Sequence, residues 1–314
     1  MTAAASITAF APASLANLSC GFDVLGLALD GPGDRVRATC TAEAGVSLGR
    51  ITGDDGRLPR DVARNTATVA AAALLARHAP DRGVRLDLDK GLPLCSGLGG
   101  SAASAVAAVC AVDAVLGAGL ALPDLLTCAL EGEKTAAGAG HADNAAACLY
   151  GGLILARVTS PPEIIRLPVP ADLWIALIRP HVEVSTADAR VELAERVPLA
   201  VAAAQWGDVG AFVHAVHVDD WELLGRCLRD QVAEPQRAGR VPGFAAVKQA
   251  ALDGGATGCG LSGSGPSLFA LCRGRAAADA VVAAMATAFQ EVAATGCDRH
   301  VGAVDRRGAR VVAA

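Results

Sequence analysis

Eight side chains are of the kinds that phosphoryl transfer to a small alcohol requires: Ser101, Glu133, Asp143, Asn144, Asn17, Asp23, Arg190 and Arg237. Such a transfer asks little covalent work of a protein. It needs positioning, a divalent cation and neutralised charge. Magnesium takes oxygen ligands and keeps several waters, so one hydroxyl and one carboxylate are a sufficient protein contribution. Ser101 and Glu133 could supply them. Glu131 and Glu133 are two apart and cannot face the same way on a helix. Asn144, Asp143 and Asn17 are suited to orienting an acceptor hydroxyl. Arg190 and Arg237, each beside a helix break, could present guanidinium forks to a carboxylate. Asp23 or Asp143 would meet an ammonium. Together these types describe a small-molecule kinase acting on an amino-acid-like acceptor. Plainer readings stand beside this one: Asn17 and Asp23 also suit turns and helix caps, and arginines at helix starts are commonly just solvated.

The element that must position them is the stretch Leu92-Pro93-Leu94-Cys95-Ser96-Gly97-Leu98-Gly99-Gly100-Ser101-Ala102-Ala103-Ser104. A strand-like run, Val84 to Asp89, leads in, and a small-residue helix, about Ser101 to Leu116, leads out. Glycine permits a tight bend and close approach of a ligand. The helix start offers free N–H groups and the positive end of its dipole, a combination that holds phosphate. The loop is not a Walker A motif, because no lysine follows its glycines, and Ala102 breaks the dinucleotide fingerprint. A purely structural turn into a helix is the alternative.

The remaining pattern alternates strands and helices. Strands are expected at Ser6–Ala13, Arg35–Thr41, Leu153–Val158, Leu173–Arg179, Ala256–Leu261, Ser267–Cys272 and Arg299–Val304. Helices are expected at Asn65–His78, from Pro123 toward Glu133, and at Ala187–Glu195, Leu199–Val218, Trp221–Leu228, Pro242–Leu252 and Ala276–Ala294. Gly49 to Pro59 reads as a turn region, and Glu234-Pro235-Gln236-Arg237 as a break. Asn65 either caps its helix or meets a nucleotide edge. The last third suggests an α+β sandwich with helices on one sheet face. A composition shift near residue 169 marks a domain boundary.

At 314 residues the chain is long enough for two domains. Hydrophobic residues make up 53% but aromatics only 3%, so alanine and valine must fill the core. A net charge of −5 gives no electrostatic footprint for nucleic acid or for a membrane surface. The most apolar helix expected, Ala102 to Leu116, is shorter than the ~20 residues of a membrane span. The first residues lack the pattern of a signal peptide, and a cytoplasmic protein is expected. Ten cysteines without a C-x-x-C pair read as free thiols.

Several motifs in order resemble the GHMP kinase family, which includes galactokinases, homoserine kinases and mevalonate kinases. The family signature P-x-x-x-G-L-G-S-S-A-A is similar to Pro93 to Ala103, with Gly100 where the first serine is usual. Within the family the homoserine kinase branch is the most similar. Its motifs are met by Ala11-Pro12-Ala13-Ser14-Leu15-Ala16-Asn17-Leu18-Ser19-Cys20-Gly21-Phe22-Asp23, His141-Ala142-Asp143-Asn144, Ser185-Thr186 with Arg190, Glu234-Pro235-Gln236-Arg237, and Gly260 to Pro266. The resemblance implies an α+β, two-domain GHMP kinase fold. An N-terminal, ribosomal-protein-S5-like, ATP-binding domain would span 1–168, and a C-terminal ferredoxin-like α/β sandwich 169–314.

It also implies phosphorylation of L-homoserine by ATP, with magnesium, on the way to threonine. ATP would lie on Pro93 to Ala103 with Asn65 near adenine, and Ser101 and Glu133 near magnesium. Asp23 and Asp143 would face the substrate ammonium, Arg190 and Arg237 its carboxylate, and Asn17, Asn144, His141 and Thr186 would line the pocket. Asn144 would position the hydroxyl. The second glycine loop would close on the site from the C-terminal domain. A homodimer is the assembly the family suggests. The competing acceptors are mevalonate and a shikimate-like alcohol, neither of which has an ammonium for Asp23 and Asp143. The remaining competitor is a family member that binds ligand without catalysis.

Overall fold

The computed structural model describes residues 5–137 and 141–313, the side chains at 136, 137, 186 and 187 excepted. The first part of the chain forms β1 (Ser6–Ala16), β2 (Leu25–Thr41), β3 (Gly45–Thr52), α1 (Thr66–His78), β4 (Gly83–Asp89), α2 (Gly100–Leu116), α3 (Leu122–Ala137), α4 (Ala142–Tyr150), β5 (Leu153–Arg157) and β6 (Glu163–Leu167). The second part forms β7 (Leu173–Pro180), α5 (Thr186–Val191), α6 (Leu199–Val218), α7 (Trp221–Cys227), α8 (Glu234–Arg237), α9 (Phe244–Asp253), β8 (Gly258–Leu261), β9 (Leu268–Arg273), α10 (Arg275–Val292), β10 (Cys297–Ala303) and β11 (Arg310–Val312).

Among the described residues the strands make two sheets, giving the α+β class expected. The first has the order β11-β1-β2-β4-β3, with β5 pairing β2 and β6 pairing β5. The second has the order β10-β7-β9-β8, antiparallel throughout. The chain leaves the first sheet after Leu167 and enters the second at Leu173. It then returns, because β11 pairs with β1.

Helix α2 explains why so few aromatics suffice. It is apolar all round, which marks a buried helix. Ala102, Ala103, Ala105 to Ala108, Val109, Ala111 and Val112 are all buried. Their small side chains let α2 pack closely against β1, β2, α1 and α3. Strand β7 is apolar without alternation because both its faces are covered. Leu173, Ile175 and Leu177 join the main core, while Ala176 and Ile178 face the cluster built on α9 and α10. The second sheet therefore carries that helix pair on one face, as expected, and packs its other face on the core.

The departures are local. Gly45–Thr52 is an edge strand pairing parallel with β4, where part of a turn region was expected. Strand β2 begins at Leu25, ahead of the expected Arg35. It bulges opposite Pro12/Ala13, where the partner of Pro12 is Gly33 and that of Ala13 is Leu29. Asp30-Gly31-Pro32 thus reads as a turn while the strand continues through it. Glu234–Arg237 is a short helix rather than a break. Among the described helices, α6 alone is long and apolar enough to cross a membrane by length and composition. In the fold it packs along α7, with Gln205 and Phe212 buried and Trp206 exposed.

Candidate active site

The glycine loop joins β4 to α2 and needs its glycines. Gly97 (φ 76°) and Gly99 (φ 66°) are left-handed, a conformation costly to residues with a Cβ. A Cβ on Gly97 would stand 2.7 Å from the carbonyls of Ser262 and Gly265, and one on Gly99 would stand 2.1 Å from Ser14 Oγ. Gly99 is the N-cap of α2 and supplies no side-chain bond to the first turn. The leading N–H groups of α2 are therefore left for a ligand. They border a cavity of about 520 Å³ lined by residues of the loop, of the segment 57–66, of α3 and α4, and of α5 and α8, which carry the arginines.

Ser101 Oγ donates to Glu133 Oε2 at 3.2 Å across this cavity. Glu133 is buried, and its other oxygen, Oε1, has no hydrogen-bond partner among the described residues. Burial pushes its pKa up to about 7, against the opposing hydrogen bond from Ser101 and the charge of Lys90. Glu131 points elsewhere, to Lys134 at 2.8 Å, as the two-residue offset requires. A buried carboxylate oxygen without a partner, next to a hydroxyl, is the donor set of a hard cation that keeps most of its waters.

The opposite end of the cavity is charged with both signs. Residues 17–19 and Asp23 have positive φ, and this tight turn folds Asn17 back so that its Oδ1 accepts from the Asp23 N–H at 3.1 Å. Asp23 Oδ2 accepts from Arg190 Nη1 at 2.6 Å and lies 3.5 Å from His141 Nδ1. Arg237 is buried, donates through Nη1 to the Gly263 carbonyl at 3.0 Å, and leaves Nε without a partner among the described residues. The Phe22 ring lies beneath both guanidiniums, 5.2 Å from Arg190 and 5.4 Å from Arg237. One aromatic face thus holds two cations close together despite their repulsion. Burial holds His141 below its ordinary value, against the pull of Asp23.

Between the two ends stand Asp143 and Asn144 at the start of α4. Ser14 Oγ donates to Asn144 Oδ1 at 2.8 Å, which leaves the amide hydrogens of Asn144 for the cavity. Asp143 is buried and accepts from the Asn144 N–H at 2.8 Å. Burial, with the charge of Asp23 adding, raises its carboxyl to about 7. The second glycine loop locks the assembly. Ser262 Oγ donates to the Gly97 carbonyl at 2.6 Å, Ser267 Oγ to that of Ser96 at 2.7 Å, and Asn17 Nδ2 to that of Gly263 at 3.2 Å.

Of the site residues read from the sequence, Pro93 to Gly97, Gly99 to Ser101, Asn17, Asp23, Glu133, His141, Asp143, Asn144, Arg190, Arg237 and Asn65 line this one cavity. Leu98, Ala102 and Ala103 are buried behind it. Asn65 caps its helix: its Oδ1 accepts from the Ala67 N–H at 3.1 Å, and its Nδ2 donates to the Pro59 carbonyl at 3.1 Å. The Thr186 side chain lies outside the described residues, although Ser185, which caps α5, lines the cavity. Sequence reasoning missed Ser14, Phe22 and Lys90. Phe22 stands beside Asp23, and Lys90 directly precedes the loop, so only proximity could have flagged them.

The fold and cavity are those of a small-molecule kinase, and comparison with known proteins agrees. The models for the GHMP kinases N-terminal and C-terminal domains match residues 65–152 and 212–291. The chain belongs to the GHMP kinase family. Within it, the chain is 42% identical to a homoserine kinase of Chlorobaculum tepidum, over 98% of each chain. A crystal structure of homoserine kinase from Cytophaga hutchinsonii superposes with a TM-score of 0.94 at 46% identity, covering 99% of each chain. A galactokinase of Lactococcus lactis, complexed with galactose, shares the fold at a TM-score of 0.72 and 15% identity, covering 97% of this chain and 95% of that one.

Proposed function

We propose that this chain transfers the terminal phosphoryl group of ATP to the hydroxyl of L-homoserine. The products are ADP and O-phospho-L-homoserine, on the route to threonine. The observation that carries the reading is the pairing of ends in one cavity: an anion-binding helix start faces a cluster of both charge signs, Asp23 and Asp143 with Arg190 and Arg237. That cluster matches a zwitterionic acceptor. Mevalonate and shikimate would bring no ammonium to the buried Asp143 or the partly buried Asp23. Identity to homoserine kinases over nearly the whole chain supports the same acceptor.

In this reading the ATP phosphates rest on Pro93 to Ala103 and the first N–H groups of α2. Ser101 and Glu133 would hold magnesium, which when bound neutralises charge on the transferred group. Asp23 exchanges Arg190 for the substrate ammonium, joined by Asp143. Arg190 and Arg237 grip the carboxylate, kept in place by Phe22. Asn17, His141 and Thr186 line the pocket. Asn144, its carbonyl held by Ser14, turns an amide N–H toward the acceptor oxygen. In a loose transition state the hydroxyl proton leaves late, to phosphate or water, and a strong base is not required. Asn65 contributes through the shape of the segment it ties to Pro59.

We divide the chain into an ATP-binding domain, 1–168, and a C-terminal domain, 169–314, whose last strand returns to the first sheet. Ten free cysteines suit the reducing cytoplasm. A homodimer is read by light scattering. The deciding assay is ADP release over homoserine, serine, mevalonate and shikimate. Turnover confined to homoserine is expected, and turnover of mevalonate without homoserine would overturn the reading.

A further inference from the structure

Beneath the glycine loop lies a polar cluster with no part in the roles given above. Asp34 follows the bulge in β2. Its Oδ1 accepts from the backbone N–H groups of Gly91 and Leu92, each at 3.1 Å. Its Oδ2 accepts from Ser104 Oγ at 2.7 Å and pairs with Lys90 Nζ. The ammonium of Lys90 also donates to the Gly100 carbonyl at 2.8 Å and to Ser104 Oγ at 2.9 Å. The two charged side chains are only 3% and 1% exposed. Every proton of the ammonium and every usual acceptor direction of the carboxylate is used.

Withdrawing two charges from water is costly, and an apolar pair of equal volume often serves a fold as well or better. The location of this pair is therefore informative. Three elements meet on it: β2 through Asp34, the loop entry through Gly91 and Leu92, and the first turn of α2 through Gly100 and Ser104. These elements fix where the loop stands relative to the helix start. Lys90 borders the cavity but has no proton left for a phosphate, and Asp34 balances its charge. Its action on a bound nucleotide must therefore pass through the backbone it holds.

We propose that Asp34, Lys90 and Ser104 are positioning residues for phosphoryl transfer, clamping the glycine loop to α2 so that their N–H groups converge on the phosphates of ATP. This rests on the reading that the loop holds those phosphates. Misplacing such groups by an ångström or less is costly to rate, and removing residues that orient a binding shell typically costs at least about tenfold.

The test compares Asp34→Asn/Lys90→Met, Ser104→Ala and Ser101→Ala in the full-length enzyme. It measures MgADP affinity by calorimetry, KM for ATP and for homoserine, kcat, and Tm. The double variant removes both charges together, so it is expected to keep its Tm within a few degrees. Its KM for ATP should rise about tenfold or more, while KM for homoserine stays within about twofold. A purely structural role predicts the reverse: a lower Tm with both KM values unchanged. A folded double variant with wild-type affinity for MgADP overturns the proposal. If the double variant does not fold, Ser104→Ala decides, because it keeps both charges. A rise in KM for ATP alone supports the proposal, and an unchanged value overturns it. Ser101→Ala separates the two readings. Loss of MgADP affinity there but not in the clamp variants refutes the clamp alone. Unchanged affinity in all of them refutes the nucleotide site itself.

Discussion

Ser101 Oγ stands 3.2 Å from Glu133 Oε2, while Glu133 Oε1 is buried with no partner among the described residues. Helix α2 and helix α3 thus meet at one hydroxyl and one half-satisfied carboxylate. Burial raises this carboxyl to about 7, and a cation must displace the proton it then carries. Apparent magnesium affinity is therefore expected to climb from pH 6 to pH 8 and level off above. Glu133→Gln keeps the shape and loses the charge. It should lower kcat/KM for ATP on the order of 100-fold and abolish that pH dependence. Magnesium titrations of ADP release at pH 6, 7 and 8 check both outcomes. A Gln variant with the wild-type magnesium profile would remove Glu133 from the metal site.

Asp143 ties function to stability in a way that can be measured without substrate. Its carboxyl is raised to about 7 in the folded protein by burial and then by Asp23, against about 4 in an unfolded chain. Between those values the folded state holds a proton that the unfolded state lacks, so this group's contribution to stability falls as pH rises from about 4 to about 7. Asp143→Asn removes that dependence. Its Tm should exceed that of the wild type at pH 8 and nearly equal it at pH 5. The same variant should raise KM for homoserine by about tenfold or more, because an ammonium partner is gone. A fall in kcat beyond about a thousandfold with unchanged homoserine affinity would instead make Asp143 the general base.

What could be read from the sequence was what local chemistry determines. Gly97 and Gly99 announce a tight loop because only glycine takes those conformations cheaply, and Glu133 separates from Glu131 by helical geometry alone. What could not be read depends on residues far apart in the chain. Asp34 meets Lys90 across 56 positions, and Ser14 meets Asn144 across 130. No local spacing encodes either contact. Phe22 looks like any core ring until two guanidiniums settle on it. Strand β2 starts at Leu25, ahead of the expected Arg35, because the fold spends the turn chemistry of Gly31-Pro32-Gly33 on a bulge inside the strand. Asn65 had two local readings; it caps α1 and also lines the cavity.

Gly100 is the position where this chain departs from its family's signature, and the structure shows that the departure is not forced. A Cβ there would meet Lys90 Nζ at 3.5 Å, Leu92 Cβ at 3.7 Å and the Pro93 carbonyl at 3.9 Å, all ordinary contacts. Its φ is not in the left-handed region. Gly100→Ser should therefore fold normally and add one hydroxyl at the start of α2. One neutral hydrogen bond is worth about 1 kcal/mol, so KM for ATP should fall roughly fivefold, with KM for homoserine unchanged. Steady-state kinetics with each substrate varied in turn measures this. A rise in KM for ATP would mean that the added side chain pushes on the Lys90 ammonium.

Cys95 offers a label inside the loop itself. Of the ten cysteines it is the exposed one; Cys40, Cys110 and Cys297 are partly covered and the other six are buried. It lines the cavity beside Ser96 and Gly97, and burial raises the thiols of Cys110, Cys148 and Cys259 to about 12, which leaves them almost entirely protonated near pH 8. A small alkylating reagent at pH 8 should therefore modify one thiol per chain first, and peptide mapping should place it at Cys95. Since that thiol borders the surface on which the phosphates would rest, MgATP should slow its labelling by about tenfold at concentrations well above KM, in line with site occupancy. Homoserine alone, bound at the other end of the cavity, should leave the rate nearly unchanged. Equal rates with and without MgATP would place the nucleotide away from Cys95 and force the phosphates elsewhere on the loop. Protection by homoserine alone would put the acceptor, rather than ATP, against the loop.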